Sequence, residues 1–242
     1  MEQTSDRVVP NVRAAIVSLN VGLPKHLGTE GSTDDKPWHS GIFKQPVAEA
    51  LWLDPLNLTG DAQADLVAHG GPDKAVCVYT AAHYPDWQAE LARPDFVYGA
   101  FGENFTISDL TENDVCIGDT FKVGGATVQI SQPRQPCWKL ARKWGIKDLT
   151  ARVQHSRRTG WYFRVIEAGA VSPGDVLVLT ARPHDGWTIT RANAIMDERH
   201  STDEAEAFAT ECTALSLAWR SYLIDRAAKN RQRHADELDH MG

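Results

Sequence analysis

The sequence predicts a mainly β fold with added α, a β-barrel or sandwich followed by a small helical unit. Three observations predict it. Up to about residue 180 the chain runs as short apolar or alternating segments punctuated by Gly and Pro. Around Gly124-Gly125 two alternating segments meet across a turn, a strong hairpin signal. After "RPHDGW" the apolar spacing changes from two residues to three or four.

Taken in order, "VRAAIVSLNVG" and "AVCVYT" read as mostly buried strands closed by glycine or polar residues. Residues 22–46, "GLPKHLGTEGSTDDKPWHSGIFKQP", are poor in large apolar side chains and predict a long surface loop. A loop of that length in a compact domain is functional or disordered. Helical interruptions are expected at "AAHYPDWQAEL" and "CWKLARKWG", where Trp138, Ala141 and Trp144 share a face at three-residue spacing. "DTFKVGGATVQISQ" is the hairpin, and "GDVLVLTAR" adds another strand. Three short helices follow in "TITRANAIMDERH", "STDEAEAFATEC" and "LSLAWRSYLIDRAAK". Ser201 with Glu204 fits a capping box, and Ser216 suits the cap of the third helix. Trp219, Tyr222 and Leu223 supply that helix's apolar face. The expected division is a barrel domain over 1–182, a three-helix module over 186–230, and a frayed tail over 231–242.

A chain of 242 residues holds one large domain or a domain with a small appendage. A formal net charge of −7 argues against nucleic acid and acidic membranes as general partners. No apolar run approaches the roughly 20 residues that cross a bilayer. "MEQTSDRVVPNVRAAI" lacks the basic start and apolar run of a signal peptide, so a cytoplasmic location is expected. The four cysteines form no CxxC pair, which disfavours structural zinc and predicts free thiols in a reducing compartment. Cys77, Cys116 and Cys212 fit as small apolar fillers in strand-like or helical stretches. Cys137 does not.

Cys137 stands in "QPRQPCWKL", behind an arginine and directly after a proline, where a strand gives way to a helix. From Thr120 to Lys147 the chain holds six basic residues, Lys122, Arg134, Lys139, Arg142, Lys143 and Lys147, and no Asp or Glu. Positive neighbours favour thiolate over thiol, and a helix starting at this point pushes the same way. Pro136 fits just before such a start. The plainer alternative is a buried cysteine beside a solvated basic face. "HGGPDK", from His69 to Lys74, is a Gly-rich turn whose open N–H groups suit an anion, or simply a turn. "FGENF" sets Glu103 and Asn104 after a glycine, suited to hydrogen-bonding a heterocycle edge or to a capped turn.

Taken together and in order, "LTGDAQADLVAHGGPDKAVCVY", "FGENFT", "GDTFKVG" and "SQPRQPCWKL" resemble MOSC domains. These stand at the C-terminus of molybdenum cofactor sulfurases and also occur alone. The resemblance is strongest to the YiiM-type branch, where a MOSC β-barrel precedes a three-helix module, and it spans roughly residues 10 to 228. It implies a molybdenum cofactor (Mo-molybdopterin), with Cys137 as metal ligand and catalytic residue. It implies that Arg134 and Lys139 contact the pterin or its phosphate, and that Ser40, Gly41 and Lys44 form the phosphate side. His69 and Gly70 would line the metal pocket, His69 passing on a proton, while Asn104 reads the pterin. The implied reaction reduces an N-hydroxylated base or amine, such as 6-hydroxylaminopurine, to the amine, a detoxification. No iron–sulfur cysteine spacing and no G-x-G-x-x-G signature is present, so electrons come from an external reductase. The helical module then docks that donor, mediates a homodimer, or only covers an apolar patch. Two other classes stay open: a cofactor or sulfur carrier with a persulfide on Cys137, and a binding module without turnover.

Overall fold

The computed structural model describes residues 10–197 and 202–239. Its hub is β1 (Arg13–Val21), nine residues whose buried Ala14, Ile16 and Leu19 enter the core. A small hairpin follows, β2 (Lys25–Leu27) against β3 (Trp38–Ser40). Next come β4 (Gln45–Val47), paired with the end of β1, and β5 (Leu51–Leu53). The stretch 22–46, expected as a surface loop, therefore holds three strands and carries Ser40 and Lys44 into buried positions. Strands of three residues are too short to leave a readable alternation.

Strand β6 (Val76–Thr80) is buried at every residue and runs parallel to β7 (Phe105–Ile107). A parallel pair needs a long crossover, and the segment between them supplies it with α1 (Tyr84–Leu91). Then β8 (Thr120–Val123) and β9 (Ala126–Pro133) form the expected hairpin, Val123 opposite Ala126. Two helices, α2 (Trp138–Trp144) and α3 (Leu149–Ser156), intervene before β10 (Trp161–Glu167), which pairs with both β9 and β6. Finally β11 (Gly169–Val171) pairs with β5, and β12 (Val176–Ala181) pairs with β8 and β1. The order β12-β8-β9-β10-β6-β7-β1 thus closes on itself as a seven-stranded barrel. Closure leaves no free edge within the ring.

Helices α4 (Ile189–Asp197), α5 (Thr202–Glu211) and α6 (Leu217–Asp239) lie against this barrel. Ile189, Phe208, Trp219 and Leu223 join the same apolar cluster as Phe121, Val128 and Phe163 of the strands. The Ser216 hydroxyl caps α6 as expected, accepting from the Trp219 N–H at 3.4 Å. Ser201 of the expected capping box lies outside the described residues. Tyr222 departs from the expected apolar face, being 50% exposed. Residues 231–239 continue α6 instead of fraying. Polar contacts hold that stretch, Gln232 to Asp236 within the helix and Arg231 to Glu206 of α5. Among the described residues no helix is long and apolar enough to cross a membrane.

A second cluster, Tyr79, Tyr84, Trp87, Phe96 and Phe101 with Leu140, Leu149 and Val153, packs α1, α2 and α3 together. Leu140 is the buried residue of α2, and Ala141 and Trp144 pack beside it. Trp138, expected on that face, is exposed and packs against Trp38 at 5.8 Å. The sheltered side of α2 thus points to the aromatic cluster, and its first residue, Trp138, is left at the surface.

Candidate functional site

Strand β9 ends at Pro133, and the next four residues carry the chain to α2. The Arg134 N–H donates to the Gly160 carbonyl at 3.0 Å, fixing the exit from the barrel. The Cys137 carbonyl accepts from the Leu140 N–H and the Thr150 hydroxyl, each at 3.0 Å. Cys137 is therefore anchored by two helices while its side chain stays half-buried. It lines a cleft of about 650 Å³, measured out to the open mouth.

The fold brings eight of the nine expected residues to this cleft: Ser40, Gly41, Lys44, His69, Asn104, Arg134, Cys137 and Lys139. Gly70 is not among them. A side chain there would meet the Leu66 Cα at 2.9 Å, so this glycine serves the packing of its own turn. Gly41 is required by a close approach, since a Cβ would lie 2.4 Å from the Ala62 carbonyl oxygen. Cys77, Tyr162, Asp65 and Lys74 also line the cleft, and the sequence had not singled them out. Cys77, expected as a filler, is buried at the cleft wall. Cys77 and Tyr162 sit on β6 and β10, where side-chain direction depends on barrel closure.

The polar framework separates residues that are free to bind from residues that are not. Asn104 accepts from the Cys77 N–H at 3.0 Å and donates to the Asn20 carbonyl at 3.2 Å and Asp61 at 2.9 Å. Its amide thus bonds within the fold while Asn104 also lines the cleft. Lys44 is ion-paired with buried Asp61, so its charge reaches the cleft largely neutralised. Glu103, expected at a heterocycle edge, is fully buried and accepts four hydrogen bonds from protein donors. Arg134 differs. Its Nη2 donates to the Phe101 carbonyl at 2.7 Å, while its buried Nη1 has no partner. His69 likewise keeps a buried Nδ1 without a partner. Two orphaned nitrogens in one positively lined cleft suit an anion.

Of the six basic residues between Thr120 and Lys147, only Arg134 and Lys139 reach the cleft. Arg142 is held by Asp35 and the Lys36 carbonyl, and Lys143 donates to the carbonyls of Ile42, Gly99 and Ala100. Lys122 and Lys147 are exposed elsewhere. The run of charge reaches the cleft through these two residues.

Burial pushes the Cys137 thiol up, and a hydrogen bond and charge from His69 oppose it. With the Arg134 charge and the Lys139 N–H added, its pKa falls from an ordinary 9.0 to about 7. Burial raises Cys77 to about 11 and Cys212 to about 12, and raises Cys116 too. Near neutrality Cys137 is thus the substantially ionised thiol among the four. In cofactor-free protein, alkylation by iodoacetamide should rise with pH through a midpoint near 7, because only thiolate reacts. A pKa lowered in this way leaves roughly one-tenth thiolate one pH unit below the midpoint. His69→Gln should move the midpoint upward; a wild-type midpoint near 9 would contradict the electrostatics described.

A family profile described as "MOSC domain" matches residues 65–178. The uncharacterized protein YflK of Bacillus subtilis (strain 168) is 48% identical over 215 residues, covering 88% of this chain and 95% of that protein. A protein named "Reductase" from Gibberella moniliformis (strain M3125 / FGSC 7600) is 33% identical over 199 residues, covering 81% of this chain. The match spans 34% of that longer protein. The crystal structure of YiiM from Geobacillus stearothermophilus superposes with a TM-score of 0.74 at 36% identity, covering 88% of this chain and 99% of that one.

Proposed function

This chain belongs to the MOSC domain family, in its YiiM-type branch, and we propose that it is a molybdenum-cofactor-dependent oxidoreductase acting on N-hydroxylated bases or amines. Its substrate class is typified by 6-hydroxylaminopurine. One observation carries the reading: the Cys137 sulfur, its pKa lowered to about 7, faces a positively lined cleft. Among the described residues no group of three or more His, Cys, Asp or Glu can hold a metal. A metal held by the sulfurs of a pterin brings most of its ligands with it and needs few from the chain. A soft thiolate suits that metal.

The residues present fit the cofactor. Cys137 would ligate the metal, with Arg134 Nη1 and Lys139 beside it for the anionic pterin. Ser40, Gly41 and Lys44 would bound the phosphate side, where the Gly41–Ala62 contact keeps the wall thin. When bound, the cofactor supplies two-electron chemistry at the N–O bond. Overall, R–NHOH with two electrons and two protons gives R–NH2 and water. His69, which lines the cleft with Cys137, would pass a proton to the departing oxygen. The electrons come from a separate reductase, in a reducing cytoplasmic setting.

The half-exposed thiolate also suits a sulfur carrier bearing a persulfide, so metal content decides between the two. Protein made in a host that builds the pterin cofactor should contain stoichiometric molybdenum and reduce 6-hydroxylaminopurine when given a reductant. Labile sulfane sulfur without molybdenum would favour the carrier. A metal-free protein that still binds phosphates tightly would favour a binding module.

A further inference from the structure

Lys74 and Gln135 line the cleft on one side and a second groove on the other. That groove measures about 990 Å³ out to its open side. Gln132 of β9, Gln154 of α3, Asp197 at the end of α4, and Trp219 and Tyr222 of α6 form its walls. The walls are fixed relative to one another. The Ser216 N–H donates to the Ser131 carbonyl at 2.9 Å, and Arg226 of α6 donates to the carbonyls of Ile195 and Met196.

Gln132 is buried, 3% exposed. Its Nε2 lies 3.4 Å from the Pro133 carbonyl oxygen, while its Oε1 is buried with no donor. Turning the amide over would set oxygen against oxygen, so Oε1 is the unpaired end. An acceptor left unmet at that depth points to a donor on a ligand. Tyr222 stands 50% exposed in the same wall, an aromatic ring placed where a core residue would be covered. Amides beside an aromatic ring suit a planar nitrogen heterocycle, stacked on the ring and hydrogen-bonded at its edge.

We propose that this groove is the base-binding subsite, and that the helical module exists in part to wall it. The inference rests on the proposed function for its substrate class. A purine lies against Tyr222, one of its N–H groups donates to Gln132 Oε1, and its hydroxylamino group faces across Gln135 toward Cys137. Gln132 and Tyr222 are positioning residues that set specificity.

Calorimetric titration of 6-hydroxylaminopurine and of adenine into cofactor-free protein tests it. Both should bind, and Gln132→Leu and Tyr222→Ala should each weaken binding at least about tenfold, the loss of one hydrogen bond to a buried group or one stacking partner. Lys122→Ala, on the outer barrel face, should not. Tyr222 is exposed, so its variant should fold even if Gln132→Leu does not. In the loaded enzyme Tyr222→Ala should raise KM with kcat retained. No binding by the wild type, or equal binding by both variants, overturns the subsite. Reduction without such binding sinks the subsite and leaves the proposed function standing. Binding that depends on both residues, in a molybdenum-loaded protein without reduction, supports the subsite and sinks the function.

Discussion

Cys137→Ala should abolish molybdenum retention and lower reduction of 6-hydroxylaminopurine by on the order of 10³-fold or more, as expected for losing a sole protein ligand at the reacting centre. Its melting temperature should stay close to that of the wild type. The reason lies in how position 137 is built. The backbone is held by Leu140 and Thr150, while the side chain is half-buried in the cleft and belongs to neither apolar cluster. Removing the sulfur therefore costs little packing, within about 0.5 kcal/mol for a site away from the core. Cys137→Ser tests the chemistry more finely. A hydroxyl is of similar size but is a hard, protonated donor near neutrality, so molybdenum should still be lost. Full activity in either variant would end the proposed function.

The legible part of this protein was whatever local spacing encodes. The hairpin over Gly124-Gly125 is a two-residue glycine turn between alternating strands, and it forms as read. The buried run "AVCVYT" becomes β6, and the switch to helical spacing after Trp187 becomes α4 to α6. Cys137 was legible because proline, arginine and the absence of acid around it are all local. Long-range partners were not legible. Nothing near Lys44 announces Asp61, seventeen residues on, as the group that neutralises it. Nothing near Asn104 shows that Cys77, Asn20 and Asp61 hold its amide. The same blindness made Cys77 a filler, although barrel closure turns it to the cleft. Trp138 misled for another reason: three-residue spacing marks one face of a helix, but not which face the fold covers.

Glu103→Ala should destabilise the protein by about 4 kcal/mol, the range for breaking a buried charged network, and so lower the melting temperature by roughly 10 °C. Glu103 is 0% exposed. One carboxylate oxygen accepts from the Gly99 N–H at 2.7 Å, the Thr106 hydroxyl at 2.8 Å and the Tyr84 hydroxyl; the other accepts from the Phe101 N–H at 3.1 Å. Alanine leaves all four donors buried and unmet, which outweighs the relief of no longer burying a carboxylate. Tyr84 cannot compensate by ionising, since burial, the largest cause of its raised phenol pKa, persists in the variant. Glu103→Gln should cost less, because one oxygen remains, but its amide nitrogen must then face an N–H donor. The loss should also reach the cleft. Phe101, whose N–H Glu103 fixes, gives its carbonyl to Arg134 Nη2, so a loosened loop releases the guanidinium beside Cys137. Thermal unfolding with a parallel measurement of molybdenum content checks both effects. A Glu103→Ala protein that melts with the wild type and loses only ligand affinity would instead return this residue to the heterocycle edge.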